Sequence, residues 1–329
     1  MQKKRIFSLT GWALLVLAAF GGALAGPWRQ GLQASVYLPL VQRPALLPAT
    51  PPEEWLARLN YYRALAALPA VTENTDWSHG DYLHARYCVK NDYIGHSEEP
   101  ANPWYTPEGA LAASKGNVTV SSNVNRPDWD AIDSWMTGPF HAVGMVDPQL
   151  AQAGYGSYRE ADGDWQMAAT LDVLRGLGSV PSSVAFPVMW PGDGATVFLN
   201  AYRGGETPNP LSGCAGYTAP AGLPVILQIG SGSTTPAVTA HSVKRNGVDV
   251  EHCIFDETSY TNSDPNLQSL GRSVLGSRDA IVVIPREPLT PDAPYTFSVT
   301  ANGNTHTWSF SVANGLQRRT RAQDDGLMR

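Results

Sequence analysis

The sequence predicts an α+β protein: a first domain of helices closing on a β-hairpin, then an all-β sandwich. Three observations carry this. Apolar residues recur at helical spacing across the first third of the chain, a strand–turn–strand signal surrounds Asp162-Gly163, and alternation at period two dominates from Leu223 onward.

The first 25 residues stand apart. Gln2-Lys3-Lys4-Arg5 is basic, Ile6 to Leu24 is uncharged and mostly apolar, and Ala23-Leu24-Ala25 is an A-x-A cleavage site before Gly26. This is the pattern of a secretory signal peptide. The alternative is an uncleaved membrane anchor, because the run is nearly long enough to span a bilayer. No cysteine follows it, so a lipoprotein lacks its acceptor. Either reading places the rest of the chain outside the cytoplasm, secreted or held at the outer face of the membrane. Residues 26–51 lack periodicity and end in "RPALLPATPP", a stiff linker.

The first domain is expected over 52–176. Thr50 offers a cap, Pro51 and Pro52 suit a first turn, and Trp55, Leu59, Tyr62 and Ala66 form one buried face. A second helix is expected from Asp76 to Asp92, then an irregular stretch over 93–126. A third helix after Arg126 carries Trp129, Ile132 and Met136 on one stripe and stops at Gly138-Pro139. Residues 177–222 read as a Pro/Gly-rich connection with one strand candidate, "ATVFLNAY". The β-sandwich follows over 223–313. It contains "HSVKRNGVDVEH", with its Asn246-Gly247 hairpin turn, and "PYTFSVTANGNTHTWSFSV", with Tyr295, Phe297 and Val299 facing Trp308, Phe310 and Val312. The same alternation favours core packing of Trp308 and Tyr295 over a carbohydrate-binding role. The charged residues 314–329 are expected to be disordered.

Composition narrows the function. Among 329 residues there are 31 glycines, 26 prolines and only 16% charged side chains, which describes a loop-rich globular protein of about two domains. The net charge is −6 and no Lys/Arg block is interleaved with aromatics, which argues against a nucleic-acid partner. Of three cysteines, Cys214 and Cys253 can pair, while Cys88 lies in a helical pattern as a buried thiol. No CxxC is present, so a thiolate zinc site is excluded. "NVT" at Asn117 would be a glycosylation acceptor only in a eukaryotic secretory pathway.

There is no G-x-S-x-G elbow, H-E-x-x-H, phosphate-binding Gly loop or G-x-G-x-x-G. What remains is histidine. His79 and His84 read as helix-surface or helix-packing residues. His96 and His141 both read as loop residues beside Gly and Pro, able to converge on one cleft. Two imidazoles are good ligands for zinc or another divalent cation, with Glu98, Glu99 and Glu108 the nearest acidic side chains.

"LNYYRALAALPAVTEN", "HARYCVKNDYIGHSEEP" and "SWMTGPFHAVGMVDPQLAQAGYG" occur in that order. Together they resemble the CAP superfamily (cysteine-rich secretory, antigen-5 and pathogenesis-related proteins), most nearly its bacterial secreted branch. Asn60 and Arg63 of the first helix, His96, Trp135 with His141, and Gly154 with Gly156 carry the resemblance. It implies an α-β-α sandwich over about 52–176, whose cleft holds two histidines and two acidic residues that can bind a divalent ion. His96 and His141 match the histidines. Where the first family glutamate is expected stands Gly116-Asn117, and where the second is expected stands Met136-Thr137-Gly138. Glu98 and Glu108 are the candidates to replace them. The resemblance favours a binding protein over an enzyme, with a hydrophobic small molecule, a glycan or a cell-surface protein as partner. A metal-dependent hydrolase of peptides or cell-wall material using His96 and His141 is the alternative, and a purely structural surface protein is the third reading. "PLTPDAPYTFSVTANGNTHTWSFSV" resembles the Ig-like modules appended to bacterial secreted proteins.

Overall fold

The computed structural model describes residues 50–314 and 327–328. The expected signal peptide, and most of the expected linker and tail, lie outside the described residues.

The first helix, α1 (Trp55–Leu65), begins later than its prolines suggest, because Glu54 is the cap: its carboxylate accepts the backbone N–H groups of Leu56 and Ala57. Its Asn60 and Arg63 are structural. Asn60 exchanges two hydrogen bonds with the Val71 backbone, and Arg63 donates to the carbonyls of Pro69, Met145, Asp147 and Leu150. Strand β1 (Thr72–Glu73) leads to α2 (Thr75–Lys90), capped by Asn74. The stretch expected to be irregular over 93–126 contains α3 (Pro107–Ala113) and β2 (Gly116–Ser121). Helix α3 has only seven residues, too few for a periodic signal. Then come α4 (Asp128–Thr137), α5 (Pro139–Met145), β3 (Gln152–Arg159) and β4 (Met167–Asp172). Gly138-Pro139 therefore stops one helix and starts another, since Pro sits comfortably in a first turn.

Strands pair in the order β1-β3-β4-β2. Strand β4 shows why the sheet lies between two helical layers. Ala168 joins Ala85, Cys88 and Val89 of α2, while Met167, Ala169 and Leu171 join the α1 and α4 side with Leu59, Ile132 and Trp135. Alternate side chains enter opposite cores, so all six residues are buried.

The connecting region is not a bare linker. It holds β5 (Val188–Trp190), β6 (Thr196–Val197), β7 (Ala201–Tyr202) and β8 (Ala221–Gly222). There follow β9 (Val225–Gln228), β10 (Val238–Arg245), β11 (Val248–Asp249), β12 (His252–Phe255), a helix α6 (Pro265–Gly276), β13 (Ala280–Pro285), β14 (Pro294–Ala301) and β15 (Asn304–Val312). One sheet runs β11-β10-β14-β15-β6 and another β12-β13-β9-β5. Both expected hairpins are present, turning at Asn246-Gly247 and Asn302-Gly303 with positive φ at all four residues. Tyr295, Phe297, Val299, Trp308, Phe310 and Val312 are core.

Within the β module over 223–313 lies one helix, α6, that the period-two alternation does not announce. Asp264 caps it and Pro265 opens it, but only Gly271 and Leu275 are buried, so its apolar stripe is too thin to stand out. Of the tail, the described residues Leu327–Met328 form β16, which pairs antiparallel with β2, and Met328 is buried.

The described residues form one compact unit with a continuous core across both halves. Tyr62 meets Trp190 edge-on, Phe140 packs on Phe255 and Tyr260, and Gln228 donates to the Val146 carbonyl. Strand β13, "AIVVIP", is buried along its whole length, as expected of a strand covered on both faces.

Candidate functional site

The cleft lies along the join between the helical domain and the β module. It encloses about 360 Å³. One wall comes from the first domain: His96, the α3–β2 turn (Ser114, Lys115, Gly116, Asn117), Phe140, His141 and Gly144 of α5, and Val173-Leu174 after β4. The other comes from Thr207-Pro208, from Leu270 and Val274 of α6, and from Arg278. Arg278 is anchored across the join by an ion pair with Asp147 at 2.9 Å.

His96 and His141 thus reach the same cleft, by different supports. His96 sits in the loop after α2, its Nδ1 2.9 Å from the Ala113 carbonyl at the end of α3. A carbonyl only accepts, so Nδ1 carries the proton and Nε2 the lone pair. His141 is on helix α5 rather than in a loop. Its Nδ1 lies 2.7 Å from Oε1 of Glu206, and the same oxygen accepts its backbone N–H at 3.0 Å. An oxygen already accepting one N–H accepts the ring's as well, so His141 too keeps its lone pair on Nε2.

Glu206 is the residue the sequence reading missed. Its side chain is fully buried behind His141, and Oε2 has no hydrogen-bond partner. Burial raises its pKa, against the opposing pull of the His141 ring and the backbone N–H groups of His141 and Phe140. It belongs to the Pro/Gly-rich region, 65 positions from its histidine. The one trace of it in the first domain is Gly138: a Cβ there would lie 2.6 Å from Oε1 and 2.7 Å from the carboxyl carbon. That is the stretch where the resemblance expected a glutamate. A carboxylate from the connecting region occupies the space that a side chain at Gly138 would need.

The two expected acidic partners are elsewhere. Glu98 is buried with Oε1 2.9 Å from His84 Nδ1 and Oε2 accepting the Thr106 N–H at 3.0 Å, both oxygens turned to the interior. Glu108 lies exposed in the first turn of α3 and does not line the cleft. His84 is wholly buried, with Nε2 facing the Gly95 carbonyl at 3.0 Å and the Cys88 sulfur at 3.5 Å. It pins the loop that carries His96. His79 is exposed and stacks on Tyr82.

The sequence profile of the cysteine-rich secretory protein (CAP) family matches residues 56–168. That span includes Asn60, Arg63, His96, Trp135 and His141. The chain carries a CAP domain. No curated protein gives a significant match. Among solved structures, an extracellular protein containing a SCP domain from Bacillus anthracis is similar at 13% identity with a TM-score of 0.29, over 36% of this chain and 39% of that one. The chain therefore spans well under half of that structure's length.

A divalent cation fits the CAP cleft only in part. Two imidazoles with their tautomers set by oxygen acceptors are suitable ligands, and the Glu206–His141 pair is the carboxylate support that ligating histidines commonly have. Among the described residues, no group of three or more His, Cys, Asp and Glu side chains is placed to complete the set. The remaining positions would fall to water or to a ligand's own oxygens.

Proposed function

We propose that this CAP-domain protein works outside the cytoplasm as a binding protein whose cleft takes a small amphipathic molecule. The observation that carries the reading is the lining. Phe140, Val173, Leu174, Leu270 and Val274 make it apolar; Ser114, Asn117 and Thr207 add neutral polar groups, and its ionisable side chains are two histidines, a lysine and an arginine, with no carboxylate among them. A space of this size and lining suits a ligand with an apolar body and an anionic or strongly polar head. His96 and His141 are the residues that would hold zinc or another divalent cation, which when bound would attract the ligand's head as a Lewis acid. The Cys214–Cys253 disulfide supports an oxidising compartment. The β module, read as Ig-like, then acts as more than a spacer, because its helix α6 supplies Leu270 and Val274 to the apolar wall.

The test is displacement of a fluorescent fatty-acid analogue by dodecanoate, compared between the native protein and Leu270→Glu. Leu270 is 49% exposed, so the substitution leaves the core intact. Binding by the native protein and its loss in the variant supports the reading; absence of binding by the native protein, or equal binding by both, refutes it.

A hydrolase is the second reading, favoured by one observation: a carboxylate holds His141 Nδ1 and leaves Nε2 as a base. Zinc-dependent turnover of peptide or cell-wall substrates, lost in His141→Ala, would select it over binding alone.

A further inference from the structure

The hairpin "HSVKRNGVDVEH" begins and ends with histidine, and the structure brings those ends together. His241 stands five residues before Asn246 and His252 five residues after Gly247. Lys244 pairs with Asp249 and Arg245 with Val248, and the Val250 N–H donates to the Val243 carbonyl. The same register, two residues further out, sets His241 opposite His252. There the hairpin splits. His241 remains on β10 of the five-stranded sheet, while His252 opens β12, the edge strand of the four-stranded sheet. The rings meet across this fork with Nδ1 of His241 2.8 Å from Nε2 of His252, planes 85° apart.

The proton arrangement is determined by one more contact. Nδ1 of His252 lies 2.8 Å from the Val250 carbonyl and must donate to it. In the neutral ring, Nε2 of His252 is therefore an acceptor and takes the proton of His241 Nδ1. Two nitrogens share one hydrogen at the surface, where His241 is exposed and His252 half-buried. Partial burial and the neighbouring His252 lower the His241 pKa, which favours its neutral, metal-binding form.

We infer that His241 and His252 form a binding site for a divalent transition-metal ion that prefers square-planar nitrogen coordination, copper(II) foremost, and that the ion clips the two sheets of the β module together. The closeness of the two nitrogens favours a right-angle geometry. Two metal–nitrogen bonds of roughly 2.0–2.1 Å at a right angle place their nitrogens about 2.8–3.0 Å apart, whereas a tetrahedral angle requires about 3.3–3.4 Å. The pair is hydrogen-bonded at 2.8 Å, so a small tilt of the exposed His241 ring turns this contact into the right-angle chelate. The ion takes the place of the shared proton, which moves through solvent to Nε2 of His241, so both rings bind as neutral imidazoles. The exposed His241 ring tilts so that both lone pairs converge, and the Val250 carbonyl continues to hold His252. Water fills the other coordination positions. Copper(II) also heads the divalent affinity series for imidazole sites.

The experiment uses the full chain carrying His96→Ala and His141→Ala, which silences the CAP cleft, titrated with glycine-buffered copper(II) and followed by calorimetry and electron paramagnetic resonance. The expected result is one copper equivalent with hyperfine coupling to two imidazole nitrogens, a raised thermal midpoint, and weaker binding of zinc. Adding either His241→Ala or His252→Ala removes that equivalent. His241→Gln, at an exposed position, gives the same loss if His252→Ala fails to fold. No copper uptake at micromolar concentration, uptake that survives His241→Ala or His241→Gln, or tighter binding of zinc than copper overturns the inference.

Discussion

Glu206 places one carboxylate oxygen 2.7 Å from His141 Nδ1 and 3.0 Å from the same residue's backbone nitrogen, reaching from the connecting region into the first turn of α5. It therefore holds the helix start and the ring together. Glu206→Gln preserves the shape and one acceptor but withdraws the charge, and loss of such support costs about 10–100-fold in metal affinity. Glu206→Ala also leaves buried N–H groups without a partner, a cost of about 1–3 kcal/mol. Gly138→Ala displaces the carboxylate sterically and follows Glu206→Ala in both respects. Zinc calorimetry and urea unfolding on the three variants measure this; native zinc affinity in Glu206→Gln would show that the pair does not tune the cleft.

His84 makes the fold sensitive to alkali. Burial disfavours its charged form, but the Cys88 sulfur, the Glu98 carboxylate and the Gly95 carbonyl outweigh this and raise its pKa from 6.5 to about 10. A raised histidine pKa means stability that is complete below pH 6.5 and is lost as pH climbs through about 10. Unfolding free energy should fall across that window in the native protein and fall less in His84→Gln. Parallel curves for the two would exclude His84 as the source.

Arg63 is 1% exposed and donates to four carbonyls from two stretches of chain, Pro69 and residues 145–150. Arg63→Ala leaves buried acceptors unsatisfied and should destabilise by about 3–5 kcal/mol. Arg63→Lys recovers only part, because an ammonium lacks the planar fork. Denaturant midpoints at constant slope report the difference, and a loss below about 1 kcal/mol in Arg63→Ala contradicts the assignment.

The Cys214–Cys253 bridge closes a loop of 39 positions and ties the connecting region to the edge strand β12. On the chain-entropy model it contributes about 4 kcal/mol. The Cys214→Ser/Cys253→Ser protein should unfold at correspondingly lower denaturant, while the native protein in reductant approaches it. An unchanged midpoint in the double variant rules out a structural role for the bridge.

What could be read directly from the sequence was local. The Asn246-Gly247 turn needs positive φ at two successive residues, and such a turn announces itself in any context. The alternation of Tyr295, Phe297 and Val299 against Trp308, Phe310 and Val312 likewise needs only a pleated strand with one buried face. Short α3 and thinly buried α6 escaped because neither presents enough buried side chains to show a period. His141 read as a loop residue because Gly138-Pro139 signals both the end of a helix and the start of one.

By itself, then, the sequence determined the α+β class, the CAP resemblance, the cysteine pair and the two histidines of the cleft. Each follows from spacing or order along a single stretch, or from a count of residue types. Tertiary structure alone decided the acidic partner. Glu98 and Glu108 are nearer to His96 in the chain, but Glu98 is spent on His84 and Glu108 faces solvent. Glu206 reaches His141 because the β module docks against α5 and Gly138 leaves room for a carboxylate. A hydrogen bond depends on where two elements pack, and no periodicity along the chain records that distance.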